Sequence, residues 1–191
     1  MAKEILEQLF DSPVKVKLLK LFLRNPGSSF EFKEIISRTK ADTPTARRQI
    51  LKLESIKLLT IRLKNRKKLY SVNPHFDFYK ELKTLVLKSS PASKNKILKR
   101  VKTLGRINLA VISGIFINTD NARVDLMIVG DNIKKSKLLS FVKDLEAEVG
   151  KEIDYVVLST EEFKYRYDMF DRFIKDVLEK PHEKLINKLK L

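Results

Sequence analysis

The chain has no cysteine and no tryptophan, and its two histidines, His75 and His182, lie far apart. A disulfide framework, a thiolate zinc site and a cysteine nucleophile are therefore excluded. A metal site built on histidines has little to draw on, and none is expected. Five glycines are present, in neither a G-x-G-x-x-G nor a G-x-x-x-x-G-K pattern, so the common phosphate-cradling loops are absent. No apolar run approaches the ~20 residues that a bilayer span requires. The opening MAKEILEQLF carries acidic residues and lacks a signal-peptide core. The expectation is a soluble, cytoplasmic chain with no membrane partner and no bound cofactor.

What is abundant is positive charge. Forty Lys and Arg stand against 24 Asp and Glu, a formal net charge of +16 over 191 residues. The excess is confined to one half: residues 1–103 hold 25 cations and 9 acids, whereas residues 104–191 hold 15 of each. An asymmetry of this kind points to two units, one of which meets a polyanion. The hydrophobic fraction of 43% is too high for a disordered basic tail. Ser89-Ser90-Pro91-Ala92-Ser93 is the one linker signal. It divides the chain into a domain over 1–88, a linker over 89–95 and a second domain over 96–191.

In the first domain, apolar spacing predicts a short helix over 3–10 with Ile5, Leu6, Leu9 and Phe10 inward. Ser12-Pro13 then reads as an N-cap followed by Pro at the first helical position. That second helix runs to Leu23 and is broken by Asn25-Pro26-Gly27. Phe32 to Thr39 forms a third. The turn Ala41-Asp42-Thr43-Pro44 has capping chemistry, and another helix follows from Thr43 to Ile56, burying Ala46, Ile50 and Leu53. Strands over 59–63 and 69–72 flank a polar tip, Lys64 to Lys68, suited to a hairpin. Residues 76–88 give a last helix with Phe78, Leu82 and Leu85 in line. Lys15, Lys17 and Lys20 read as a solvated cationic face.

If Ala46, Ile50 and Leu53 face the core, then Thr45, Arg47, Arg48, Gln49 and Lys52 face outward. Arg pairs bidentately with guanine, Gln with adenine, and Thr contacts phosphate or a thymine methyl. A helix N-terminus, here at Thr43, also favours phosphate. Arg66, Lys67 and Lys68 at the hairpin tip would lie along the backbone or reach a minor groove. The segment from Thr43 to Glu54, TPTARRQILKLE, resembles the recognition helix of the winged helix-turn-helix regulators of the ArsR and MarR type. Lys57 departs from that pattern, standing where the family has Gly at the helix end. The resemblance implies double-stranded DNA as partner, with Thr43, Thr45, Arg47, Arg48, Gln49, Lys52, Arg66, Lys67 and Lys68 as the contacting set. It also implies a homodimer on pseudo-palindromic sites.

The second half alternates strands with helices. A basic helix over 94–103 precedes strands over 107–112, 124–129 and 153–158, with a helix over 135–149 and a long one over 161–180. The basic helix either extends a DNA footprint or pairs with acids of its own half. Phe163, Tyr167 and Phe170 fall at helical spacing and read as core, although Tyr165, Tyr167, Phe170 and Phe173 together could instead stack bases. His182 sits in a charged, exposed tail. Val111-Ile112-Ser113-Gly114, the strand from Arg123 to Gly130, and Glu152 to Ser159 resemble the minimal nucleotidyltransferase domain of the polymerase β superfamily. That family carries Gly-Ser, then Asp-h-Asp, then a third carboxylate. Here Arg123 occupies the first Asp position, and only Asp125 and Asp154 remain.

Two-metal transfer needs paired carboxylates on one strand face, and a guanidinium cannot ligate Mg²⁺. Arg123 would instead repel the ion or pair with Asp125. The resemblance thus implies a degenerate site, Ser113, Gly114, Arg123, Asp125 and Asp154, that does no chemistry. It leaves room for a nucleotide effector. The fold class expected is α+β in two domains, the second with a small mixed sheet. The function expected is a DNA-binding transcriptional regulator that is not an enzyme. The alternatives are an active nucleotidyltransferase that uses the winged helix to hold its substrate, and a non-regulatory DNA-binding scaffold.

Overall fold

The computed structural model describes residues 5–89, 92–119 and 121–190. It is an α+β protein that divides into two compact units, one of residues 1–89 with 146–151, the other of residues 90–145 with 152–191. Residues 90 and 91 of the linker stretch lie outside the described residues, as do residues 3 and 4 of the first helix.

In the first unit, α1 (Ile5–Leu9) buries only Leu6; Ile5 and Leu9 are exposed and Phe10 is half-buried. Five residues make too short a helix to offer a full apolar stripe, so the expected inward set reduces to one side chain. α2 (Pro13–Arg24) starts as its sequence dictates, with the Ser12 hydroxyl accepting from Lys15 N–H at 3.2 Å and Pro13 supplying a fixed φ. Its lysines are not a solvated face. Lys20 is buried, and Lys17 Nζ donates to Thr39 O at 3.1 Å.

α3 (Phe32–Thr39) and α4 (Thr43–Ser55) follow. Between α2 and α3, Phe30–Glu31 forms a short strand, β1, too brief to show any periodicity in sequence. β2 (Leu59–Lys64) and β3 (Lys67–Val72) make an antiparallel hairpin, and β1 adds to β3, giving the order β1-β3-β2. The turn is tighter than the polar run suggests. Only Asn65 and Arg66 lie between the strands, both at positive φ (51° and 61°), the geometry of a two-residue type I′ turn. Lys64 and Lys67 are therefore strand residues paired across it.

α4 ends with Lys57 at φ 63°, its N–H bonded to Glu54 O, and Leu58 N–H bonded to Leu53 O. The left-handed cap forms there without glycine, at a cost of about 1 kcal/mol. α5 (Tyr79–Lys88) begins later than expected and turns Val86 inward; Phe78 and Leu85 are exposed. The core gathers Leu18, Leu21, Phe22, Ile35, Ile50 and Leu53 with Val72 and Val86.

The second unit is built on a mixed four-stranded sheet, order β6-β5-β4-β7. β4 (Arg106–Ile112) and β5 (Leu126–Asp131) are antiparallel; β6 (Tyr155–Leu158) is parallel to β5. β7 (Glu183–Asn187) is antiparallel to β4, so the charged tail is an edge strand and His182 is half-buried. Its sequence, Glu-Lys-Leu-Ile-Asn, does not alternate polar with apolar residues, and its partner is far upstream. Leu109, Val111, Met127 and Val129 pack with Phe163, Ile174 and Val177. Ala110, Ile112, Leu126 and Ile128 point to the other face and are also fully buried, so both faces of the central pair are covered.

α6 (Lys94–Val101) spends two of its cations within this unit. Lys94 pairs with Glu183 at 2.7 Å and Arg100 pairs with Asp144 while lying over the Phe141 ring. α7 covers Lys135–Val149, and Gly150 at φ 80° ends it. The long helix expected over 161–180 is two. α8 (Thr160–Asp168) stops, Phe170 takes φ 53°, and the Asp171 carboxylate accepts from Ile174 N–H to start α9 (Arg172–Glu179). Tyr167 and Phe170 are consequently exposed, not core, as is Tyr165, whereas Phe173 is partly buried.

Candidate nucleic-acid interface

α4 is started by its own sequence. Asp42 accepts from Thr45 N–H at 2.9 Å, and Pro44 occupies the first turn, where a missing N–H costs nothing. The Thr45 hydroxyl and then its backbone N–H hold the Asp42 carboxyl below its ordinary pKa of 3.8, with a smaller pull from the Arg48 charge. The cap therefore stays ionised and bonded at neutral pH.

The helix turns Ala46, Gln49, Ile50 and Leu53 inward and Thr43, Arg47, Arg48, Leu51 and Lys52 outward, with Thr45 half-buried. Gln49 corrects the sequence reading. It is 6% exposed, and its Oε1 has no hydrogen-bond partner among the described residues. At about 100° per residue it lies about 40° from Leu53 and 60° from Ala46, at one edge of the buried arc. An adenine-reading role is thereby removed. Leu51, which sequence reasoning passed over, takes the outward centre and is 58% exposed. The same arithmetic would have found it, because it lies opposite the stripe of Ala46 and Leu53.

A buried amide oxygen without a partner costs roughly 1–3 kcal/mol, and an apolar replacement of similar shape removes that penalty. Gln49→Met is expected to leave the melting temperature unchanged or raise it, which differential scanning fluorimetry checks; a clear fall would show that the amide is satisfied.

Arg47 is oriented rather than floppy: its Cζ lies 5.2 Å from the Phe32 ring centroid, a cation–π contact across α3 and α4. Beside it runs an open cleft of about 540 Å³ between α4 and β3, walled by Phe32, Lys33, Arg47, Leu51, Lys68 and Tyr70 among others. Lys67 forms an ion pair with Glu31 at 2.8 Å. Arg66, in the turn, and Lys68 are exposed. One wall of the cleft thus carries Arg47 of α4 and the other carries Lys67 and Lys68 of the basic hairpin.

The second group of residues is held differently. Asp125 precedes β5, and both its oxygens accept backbone N–H groups, Oδ1 from Ile115 at 2.8 Å and Oδ2 from Asp154 at 3.0 Å. Ser113 is buried, with its hydroxyl donating to Val124 O. Gly114 adopts φ 52°, and a Cβ there would stand 2.2 Å from Asp125 Oδ1. Arg123 does not pair with Asp125. Its Nε donates to Asp176 of α9 at 2.8 Å, a bond that also holds the Asp176 carboxyl below its ordinary pKa. Asp154 is exposed. Among the described residues, no three of His, Cys, Asp and Glu lie together in a way that could hold a metal ion.

No family model matches this chain, and no curated protein matches it. A solved structure concerned with the regulation of DNA binding of Bordetella bronchiseptica BpsR by 6-hydroxynicotinic acid is weakly similar. It is 17% identical, with 44% of this chain and 77% of that chain covered and a TM-score of 0.29. Among the described residues, no helix is long and apolar enough to cross a membrane.

Proposed function

We propose that this protein is a DNA-binding transcriptional regulator, cytoplasmic and dimeric. In this reading a winged helix-turn-helix in the first unit meets double-stranded DNA, and a nucleotidyltransferase-like domain without transfer activity serves sensing or assembly. The observation that carries the reading is the outward face of α4. It places Arg47, Arg48 and Lys52 together beside a hairpin bearing Arg66 and Lys68, in the half that holds the whole charge excess.

A helix of that kind fits a major groove, and a basic hairpin with a tight two-residue turn fits the adjoining backbone. Two-fold protein symmetry would be mirrored in a pseudo-palindromic site. The structural role of Asp125, bonded to two backbone N–H groups, and the arginine in place of a second carboxylate support the view that the second unit does not recruit Mg²⁺.

Selection of bound duplexes from a random pool at physiological salt tests the reading. The expected outcome is an enriched sequence with two-fold symmetry. Binding that is tight but equal for all sequences would make the chain a scaffold, and the absence of salt-sensitive DNA binding would overturn the proposal.

A further inference from the structure

The outward face of α4 is not uniformly cationic. At its centre stands Leu51, 58% exposed, with Arg47 and Arg48 one turn before it and Lys52 and Ser55 at its side. Leu51 lines both concavities on this face, the cleft toward β3 and a shallow depression bounded by Pro44, Arg48 and Ser55. Its charged surroundings are those of a polyanion surface, not of an apolar protein partner, so the occupant must bring phosphate charge and an apolar group together. Duplex DNA does so at one place in the major groove, the 5-methyl group of thymine.

We propose that Leu51 reads a thymine methyl lying next to the base pair contacted by Arg48. The inference rests on the DNA-binding reading above. Three helical residues separate the two side chains, a rise of about 4.5 Å, and Arg47 is about 6 Å away. With base pairs about 3.4 Å apart, the methyl lies about one to two steps from the arginine-contacted pair. Discrimination then combines hydrogen bonds from arginine to a guanine edge with van der Waals contact to a neighbouring thymine. Gln49 supplies neither, because it is buried.

The test uses the full chain and the duplex selected from the random pool. Each thymine is replaced singly by deoxyuridine, which removes the methyl and keeps base pairing and every phosphate. Binding is followed by fluorescence anisotropy for wild type and Leu51→Ala. The expected result is one position per half-site at which wild type loses roughly four-fold in affinity, the size of burying one methyl group. In Leu51→Ala the thymine-to-uracil ratio at that position falls to about one. The ratio is taken within each variant, so a partly unfolded sample does not distort it.

Equal affinity for every uracil-substituted duplex in wild type would overturn the assignment, as would a thymine preference that persists in Leu51→Ala. A uniform loss across all duplexes would do the same, making Leu51 a support rather than a reader. Failure of the pool to enrich any sequence sinks the regulator reading and this inference with it. An enriched site indifferent to the methyl sinks the inference alone.

Discussion

Arg48→Ala is expected to cost about 1–3 kcal/mol on the selected duplex and to relax preference at a single base pair in each half-site. Arg48 is exposed on the helix face that carries Arg47, Leu51 and Lys52, with α4 capped firmly by Asp42. Its guanidinium can present two parallel N–H groups to guanine, which a lysine cannot do, so Arg48→Lys should recover affinity on random DNA more fully than preference at that pair. Lys68→Ala should behave in the opposite sense. A hairpin cation that meets phosphate carries no sequence information, so binding to all duplexes weakens together and the slope of log K against log salt shrinks by about one. Lys67→Ala should do less than Lys68→Ala, because Glu31 already neutralises Lys67 at 2.8 Å. Anisotropy titrations on selected and scrambled duplexes at several salt concentrations separate these outcomes. If Arg48→Ala and Lys68→Ala lowered affinity alike on both duplexes, direct base readout by α4 would be wrong.

The parts of this molecule that local chemistry determines were legible in the sequence. Ser12-Pro13 and Asp42-Thr43-Pro44 carry cap and first-turn residues, and both helices start there. The end of α7 at Gly150 was equally plain. Errors arose where a residue's polarity and its position disagreed. Gln49 lies on the buried arc of α4 yet is polar, and Leu51 lies opposite it yet is apolar, so sorting by side-chain type places the first on the wrong face and passes over the second. Phe170 continues the apolar spacing of α8 into α9, but the chain breaks there, with Asp171 restarting the helix. Other features depend on distant partners and leave no local trace. β1 exists because Phe30 and Glu31 pair with Tyr70 and Leu69, and β7 because it pairs with β4. Arg123 finds Asp176 rather than the nearer Asp125 for the same reason: α9 brings Asp176 within 2.8 Å.

Asp125→Ala is expected to destabilise the second unit by about 2–4 kcal/mol, a structural penalty rather than a loss of chemistry. The carboxylate bridges two segments, accepting from Ile115 N–H after β4 and from Asp154 N–H before β6. Hydrogen bonds to a charged acceptor contribute roughly 1.5–3 kcal/mol each, and truncation leaves both donors to find water or go unpaired. Gly114→Ala should destabilise through the same contact. Its φ of 52° disfavours a side chain, and the added Cβ would meet Asp125 Oδ1 at 2.2 Å. The two changes should then be non-additive: with the carboxylate gone, the alanine methyl loses its closest clash and keeps only the tight contact with Ala122 Cβ at 3.1 Å and the strained φ, so the double variant loses less than the sum. Urea unfolding of wild type, both single variants and the double measures that coupling. Arg123→Asp, which restores the acidic residue of the nucleotidyltransferase pattern, should still give no label transfer from an α-labelled nucleotide with Mg²⁺ or Mn²⁺, since the side chain at 123 is directed to Asp176 rather than to Asp125. Wild-type stability that survives Asp125→Ala within about 0.5 kcal/mol, together with label transfer by wild type that the same change abolishes, would make Asp125 a metal ligand and the protein an enzyme.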